Sequence, residues 1–152
     1  MLDVVGKEIR TLPAEEGEVL DVFGATMVVK ADPAALGLFL GEHVVPPGFL
    51  VPPHIHAEED EVFHILEGEL TLLGANGERR VGPGATAHLP AGSRHGFRND
   101  TTARVRFLVM LHPGLQGVEM FRHLDRAGRA APDRLAPQEI AAICAQYGVS
   151  MG

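Results

Sequence analysis

The sequence predicts a mainly β domain, built as a sandwich or barrel and followed by two short helices. Its 18 glycines and 11 prolines lie between short apolar runs, which is typical of short strands joined by tight turns. Many of these runs are rich in β-branched residues. Beyond Pro113 the apolar residues recur every three to four positions instead, as they do on one face of a helix.

Residues 22–31 and 36–45 are apolar enough to form the first two predicted strands, and Pro46-Pro47-Gly48 ends the second. Residues 62–67 and 69–73 form the next two, on either side of a glycine.

Asn76-Gly77 is a strong hairpin signal, and it predicts that residues 70–73 pair with residues 79–81. Residues 85–89 form a short strand between two Gly/Pro turns. Residues 105–111, the most hydrophobic run, are predicted to cross the core.

Two amphipathic helices are predicted at residues 115–129 and 137–147. Pro137 suits a first helical turn, and Gly148 suits a stop. Cys144 falls on the apolar face of the second helix and reads as a small buried hydrophobe. We therefore predict a single domain over residues 1–152, with a barrel core at about 20–112 and helices at about 115–148, packed on the outside of the barrel.

Length, charge and composition exclude several classes of protein. The chain has 152 residues, a net charge of −7 and scattered basic residues, so no nucleic-acid surface is expected. No apolar run approaches the roughly 18 residues of a membrane span. The first seventeen residues lack the pattern of a secretory signal, and a single cysteine fits a reducing cytoplasm, so a cytoplasmic location is expected.

His54 and His56 are two residues apart, which on a strand places both imidazoles on one face and Ile55 on the other. Two imidazoles facing the same way are suited to bind a metal. A bend through residues 57–60 would return the carboxylate of Glu61 to the same point. The alternative is a solvated acidic loop that happens to contain histidines.

A second block, Gly84 to Asn99, can turn tightly at Pro90 and bring His95 in from another strand. The first block reads G-x5-H-x-H-x4-E-x6-G from Gly48, and the second reads G-x5-P-x-G-x2-H-x3-N from Gly84. Both blocks, in this order, resemble the two motifs of the cupin superfamily, with every motif position filled.

The resemblance implies a cupin fold, a double-stranded β-helix or jelly-roll barrel of two antiparallel sheets. It also implies one divalent metal ion (Fe, Mn, Ni, Co or Zn), held by His54, His56, Glu61 and His95. The C-terminal region, PGLQGVEMFRHL and a helix ending in QYGV, is similar to that of quercetin 2,3-dioxygenase-like cupins.

The expected function is a metal-dependent dioxygenase that acts on a small oxygen-chelating substrate, with Glu61 as a catalytic base. Two alternatives stay open: a non-redox isomerase, epimerase or lyase acting on a sugar or keto acid, and a non-enzymatic small-ligand-binding cupin. Small cupins also imply a homodimer, with residues 22–30 as the expected edge strand at its interface.

Several further acidic, histidine and aromatic side chains have expected positions in this fold. Glu58, Glu59 and Asp60 are interpreted as a solvated turn; Glu59 or Asp60 would replace Glu61 as ligand only if the bend differed. His64 is expected on the outer face, and the orientation of His88 is left open. No metal-binding role is expected for three further histidines, His43, His112 and His123. Two interpretations stay open for Phe49, Phe63, Phe97, Met110 and Leu111, as walls of an apolar pocket or as core residues.

Overall fold

Eleven strands and three helices are present in the computed structural model, which describes residues 8–151. The strands are β1 Glu18–Val22, β2 Ala25–Ala31, β3 Phe39–Val45, β4 Leu50–His56, β5 Asp60–Glu67, β6 Leu70–Gly74, β7 Gly77–Val81, β8 Thr86–Leu89, β9 Arg94–Arg98, β10 Val105–His112 and β11 Val149–Ser150. The helices are α1 Pro33–Leu36, α2 Leu115–Ala130 and α3 Pro137–Ala145.

Two predictions extend past this range. The predicted single domain covers residues 1–152, and the prediction of no secretory signal concerns the first seventeen residues. Residues 1–7 and 152 lie outside the described residues. No helix within residues 8–151 is both long enough and apolar enough to cross a membrane.

The strands form two antiparallel sheets, in the orders β1-β2-β3-β10-β5-β8 and β11-β4-β9-β6-β7. Strand β10 lies between β3 and β5, so the prediction that residues 105–111 cross the core is confirmed. Its buried residues alternate with half-buried ones, because one face of the sheet packs inward. The predicted mainly β fold of two antiparallel sheets with C-terminal helices is confirmed.

The predicted strand at residues 22–31 is wrong at its start. Phe23 and Gly24 adopt positive φ angles of 56° and 95°, and they turn β1 into β2. Because β1 pairs along β2, the latter lies inside the sheet and is not the edge strand that the dimer prediction assumed. The homodimer itself stays a prediction.

The strand predicted at residues 36–45 begins later, at Phe39, because a short helix precedes it. Asp32 caps that helix, α1, by accepting a hydrogen bond from the backbone N–H of Ala34 at 2.9 Å, and Gly37 ends it with φ 71°. The hairpin between β6 and β7 is confirmed, with Gly74 opposite Gly77.

The C-terminal region returns to the barrel through a strand that the sequence did not predict. After α3, Gly148 takes φ 74°, and β11 then pairs with β4 so that Val149 lies opposite His56. The chain end therefore adds an edge strand beside the paired histidines.

Strands β4 and β9 are unusually close where they cross the centre of their sheet. The register shifts between Val51 and His54, because Pro52 and Pro53 have no N–H to donate and form an irregularity of the bulge type. A Cβ at Gly96 would meet the Val51 carbonyl oxygen and lie 2.8 Å from the backbone nitrogen of Pro53. Glycine at this position lets β9 bring the neighbouring His95 against β4.

We expect Gly96→Ala to lower the free energy of unfolding by about 1–3 kcal/mol, since the added methyl group has backbone on its far side and cannot be accommodated by a rotamer change. Gly74→Ala is the matched control on β6, because a Cβ there meets only the Gly77 oxygen, at 3.7 Å. Urea unfolding of the metal-free proteins measures both effects. Equal stability of the two variants would contradict the close approach of β4 and β9.

Candidate metal centre

His54 and His56 lie on β4 with both side chains buried, while Ile55 between them is half-buried on the other face. The prediction that the two imidazoles share a face is therefore confirmed. Glu61 enters from β5, and His95 from β9, where it lies directly opposite His54.

The four side chains meet inside the barrel. One ligand atom from each of His54, His56, Glu61 and His95 lies within 4.8 Å of the other three. The Nε2 atoms of His54 and His56 are 3.2 Å apart. Glu61 Oε2 is 3.2 Å from His56 Nε2 and 3.4 Å from His95 Nε2.

The donor set fits a single divalent cation. His54 Nδ1 lies 2.8 Å from the Pro52 carbonyl oxygen, which can only accept, so Nδ1 carries the proton and Nε2 presents a lone pair. Glu61 Oε2 and both ring nitrogens of His95 are buried without a hydrogen-bond partner among the described residues. Lone pairs and a carboxylate this close together repel each other unless a cation or protons lie between them.

Burial sets the charge of this cluster. It lowers the pKa of His54 to about 4, and proximity to His56 and His95 acts in the same direction. Burial also lowers the pKa of His56. For Glu61, burial acts against ionisation, but the contact with His95 and the field of the other imidazoles outweigh it, so its pKa lies below the usual range. An ionised Glu61 beside neutral His54 and His56 is the protonation state that binds a metal at neutral pH.

Glu59 is buried, which corrects the interpretation of residues 58–60 as a solvated turn. Only 3% of its surface is exposed, and its Oε1 accepts a hydrogen bond from the backbone N–H of Gly117 at 2.7 Å. Gly114, the N-cap of α2, has no side chain to cap the helix, so Glu59 satisfies one of its free N–H groups from a distant turn. The sequence signal for this contact was Gly114, which precedes the predicted helix and has no side chain that could cap it.

Its two neighbours behave as predicted. Glu58 and Asp60 are exposed; Glu58 accepts a hydrogen bond from the Gln116 side chain, and Asp60 accepts one from the Ala91 backbone. The ring of four candidate ligands therefore uses Glu61, and neither Glu59 nor Asp60 belongs to it.

The other histidines with sequence interpretations lie outside the cluster. His64 is on the outer face of β5, as expected, with Nδ1 2.8 Å from Thr86 Oγ1. His88 is exposed on β8, which settles its orientation, and His112 is also exposed. His123 lies on α2, and its Nδ1 is 2.9 Å from the Tyr147 hydroxyl.

A cavity of about 690 Å³ adjoins the cluster. His54, His56 and Glu61 form part of its wall, and most of the remaining wall is apolar. Three of the predicted wall residues, Phe49, Phe63 and Phe97, do line it, whereas Met110 and Leu111 are not among the lining residues. Met110 lies on the half-buried face of β10, whereas Leu111 is fully buried in the core, which is the second of the two interpretations left open for it.

The C-terminal helices form part of this wall, so describing them as packed on the outside of the barrel is incomplete. They contribute apolar side chains that include Met120, Phe121, Leu124, Ile140 and Cys144. Cys144 is buried, as predicted, and burial raises the pKa of its thiol.

His43 is a polar cavity residue that sequence reasoning missed. It lies on β3, is 4% exposed, and lines the cavity without belonging to the four-residue cluster. The alternation of β3 could have indicated an inward side chain, but nothing in the sequence shows which space that face adjoins.

We expect Glu59→Ala to lower the free energy of unfolding of the metal-free protein by about 1–3 kcal/mol, because a buried helix N–H group loses its acceptor. Glu58→Ala, one residue earlier and exposed, is the control, with an expected change below about 0.5 kcal/mol. Urea unfolding provides the measurement. A Glu59→Ala variant that is as stable as the wild-type protein would mean that Glu59 does not cap α2.

Comparison with known proteins finds a cupin domain within the chain. Residues 41–111 match the family described as Cupin domain, and this range contains all four cluster residues. Quercetin 2,3-dioxygenase of Bacillus subtilis (strain 168) is 33% identical over 70 residues, which are 46% of this chain and 20% of that protein. Endoribonuclease YbeY of Myxococcus xanthus (strain DK1622) is 30% identical over 91 residues, 60% of this chain and 29% of that protein. The chain thus spans less than a third of either relative.

Solved structures share the fold. A sugar phosphate isomerase from a cupin superfamily of Silicibacter pomeroyi matches with a TM-score of 0.53 and 31% identity over 60% of each chain. The polyketide cyclase RemF of Streptomyces resistomycificus matches with a TM-score of 0.62 and 24% identity, over 70% of this chain and 80% of that one. With the two antiparallel sheets and the matched residues 41–111, these likenesses show that the chain contains a cupin domain with the cupin fold.

Proposed function

We propose that the chain is a metal-dependent dioxygenase of the quercetinase-like type, which cleaves a small enol or flavonol-like substrate with O2. One observation carries the proposal: three of the four cluster residues also line an apolar cavity of about 690 Å³. An ion held there would be accessible to a bound molecule, unlike the closed sites of structural zinc. The likeness to quercetin 2,3-dioxygenase supports the same reaction class.

His54, His56, Glu61 and His95 would hold the ion. A mixed set of three imidazoles and one carboxylate, without thiolate, suits Fe, Mn, Ni, Co or Zn. When bound, such an ion supplies a Lewis acid and, for a redox-active metal, the site of O2 chemistry.

Glu61 is the proposed proton acceptor. Its Oε2 faces the point where the cluster converges, and it is ionised and has no hydrogen-bond partner among the described residues. It would take the proton from the substrate hydroxyl, which leaves an electron-rich enolate that O2 can oxidise. The apolar walls orient the substrate and exclude water, and O2 is the oxidant, with both of its atoms entering the products.

A non-redox isomerase, epimerase or lyase is the second candidate. Arg94 and Arg134 line the cavity, are exposed, and form no ion pair among residues 8–151. Two cations with this placement suit a phosphate or carboxylate group. The likeness to a sugar phosphate isomerase favours this candidate, whereas the apolar wall disfavours a sugar.

We expect the wild-type protein, purified without a tag, to retain close to one divalent metal ion per chain. His56→Ala should weaken its metal affinity by more than about 100-fold, because a ligand is lost while the strands still form the core. His64→Ala is the matched control, since His64 lies on the outer face of β5. Elemental analysis after dialysis measures retention. A His56→Ala variant that keeps wild-type metal content would overturn the ligand assignment.

Oxygen uptake tests the reaction directly. With a panel of flavonols, the protein loaded with Fe, Mn, Ni or Co should consume O2, and Glu61→Gln should reduce the rate by about 100-fold or more, as expected for loss of a general base. Absence of uptake with every metal would contradict the dioxygenase proposal. Conversion of a sugar phosphate or keto acid without O2 would favour the isomerase candidate, and binding without turnover would indicate a ligand-binding cupin.

A further inference from the structure

A second polar group lies in the cavity, apart from the metal cluster. His43 is opposite Phe107 on β10, whereas Glu61 is opposite Leu111, four residues further along the same strand. The two side chains therefore occupy different levels of the barrel while lining one cavity.

Aromatic rings fix the position of the His43 imidazole. The rings of Phe107, Phe97 and Phe49 stand edge-on to it, with centroid distances of 5.3, 6.0 and 6.3 Å. These contacts leave the ring little freedom to rotate, and they surround it with apolar surface.

One hydrogen bond fixes the tautomer. His43 Nδ1 lies 2.9 Å from the Thr26 carbonyl oxygen, which can only accept, so Nδ1 carries the proton. Burial lowers the pKa of His43 to about 4, so the ring is neutral at physiological pH. Its Nε2 therefore presents a lone pair, and no described residue donates a hydrogen bond to it.

We propose that His43 Nε2 accepts a hydrogen bond from a hydroxyl group at the end of the substrate remote from the metal cluster. The preferred substrate is then an apolar molecule with two polar ends, a chelating oxygen pair for the metal and a hydroxyl donor for His43. This inference rests on the proposed function for the chelating end, whereas its donor end follows from the geometry of His43.

Several observations support a role in specificity rather than one in stability alone. The Nδ1 bond to Thr26 already anchors the ring, so Nε2 is not needed to hold it. His43 lines the cavity, so its Nε2 can accept a hydrogen bond from water there. A substrate that displaces this water without supplying a hydroxyl leaves the acceptor unpaired, at a cost of about 1–3 kcal/mol. A substrate with the hydroxyl should therefore bind roughly tenfold more tightly than one without it.

The test uses three flavones with the same chelating edge: 3-hydroxyflavone, 3,3′-dihydroxyflavone and 3,4′-dihydroxyflavone. Their binding to the zinc-loaded full chain is measured by fluorescence without O2, so that turnover plays no part. We expect the wild-type protein to bind at least one dihydroxyflavone roughly tenfold more tightly than the parent. His43→Leu should abolish this preference, and His64→Leu should keep it, since His64 lies on the outer face of β5.

A second measurement needs no variant, in case His43→Leu fails to fold. In the ¹⁵N spectrum of the zinc-loaded wild-type protein, the preferred dihydroxyflavone should shift the His43 Nε2 signal, and 3-hydroxyflavone should leave it in place. Equal affinities for the three flavones, a preference that survives in His43→Leu, an unmoved Nε2 signal, or failure of all three to bind would each overturn the inference.

The two proposals fail in different ways. Binding with the His43-dependent preference but without O2 uptake under any metal would contradict the dioxygenase and support the role of His43. Oxygen uptake with no preference among the three flavones would support the dioxygenase and contradict the role of His43.

Discussion

The structure depends on one unfavourable arrangement, the burial of three imidazoles and a carboxylate at one point in the barrel. His54 and His56 approach within 3.2 Å through nitrogens that compete for the same cation, and Glu61 brings an ionised oxygen equally close. No partner among the described residues satisfies Glu61 Oε2 or His95. A divalent cation would turn this repulsion into attraction, and metal binding would then stabilise the barrel.

The rest of the fold holds these four side chains together. Pairing of β4 with β9 places His54 opposite His95, and glycine at position 96 allows the close approach. Glu59 ties the turn before Glu61 to the start of α2, and β11 pairs alongside His56. Helix α2 and the segment after it then close the apolar cavity beside the cluster, so the C-terminal region contributes to the site as well as to stability.

Two separate signals in the sequence predicted the four residues of the cluster. The two-residue spacing of His54 and His56 determines a shared strand face, and the resemblance to the cupin motifs supplied Glu61 and His95. Side chains whose surroundings come from distant segments could not be predicted. Glu59 is buried because a helix that begins 56 residues later needs an acceptor, and His43 is a cavity residue because phenylalanines from three other parts of the chain enclose it. The turn at Phe23 was missed because a non-glycine residue with positive φ gives no clear signal in an apolar run.

X-ray absorption at the K-edge of the metal that copurifies with the chain is the most direct test of the four-residue metal site. We expect three imidazole nitrogens and at least one carboxylate oxygen at about 2.0–2.2 Å, with a total of five or six ligands. The fifth and sixth coordination positions would be those that face the cavity. A closed four-coordinate ion, or a spectrum without imidazole scattering, would contradict an open metal site held by these four residues.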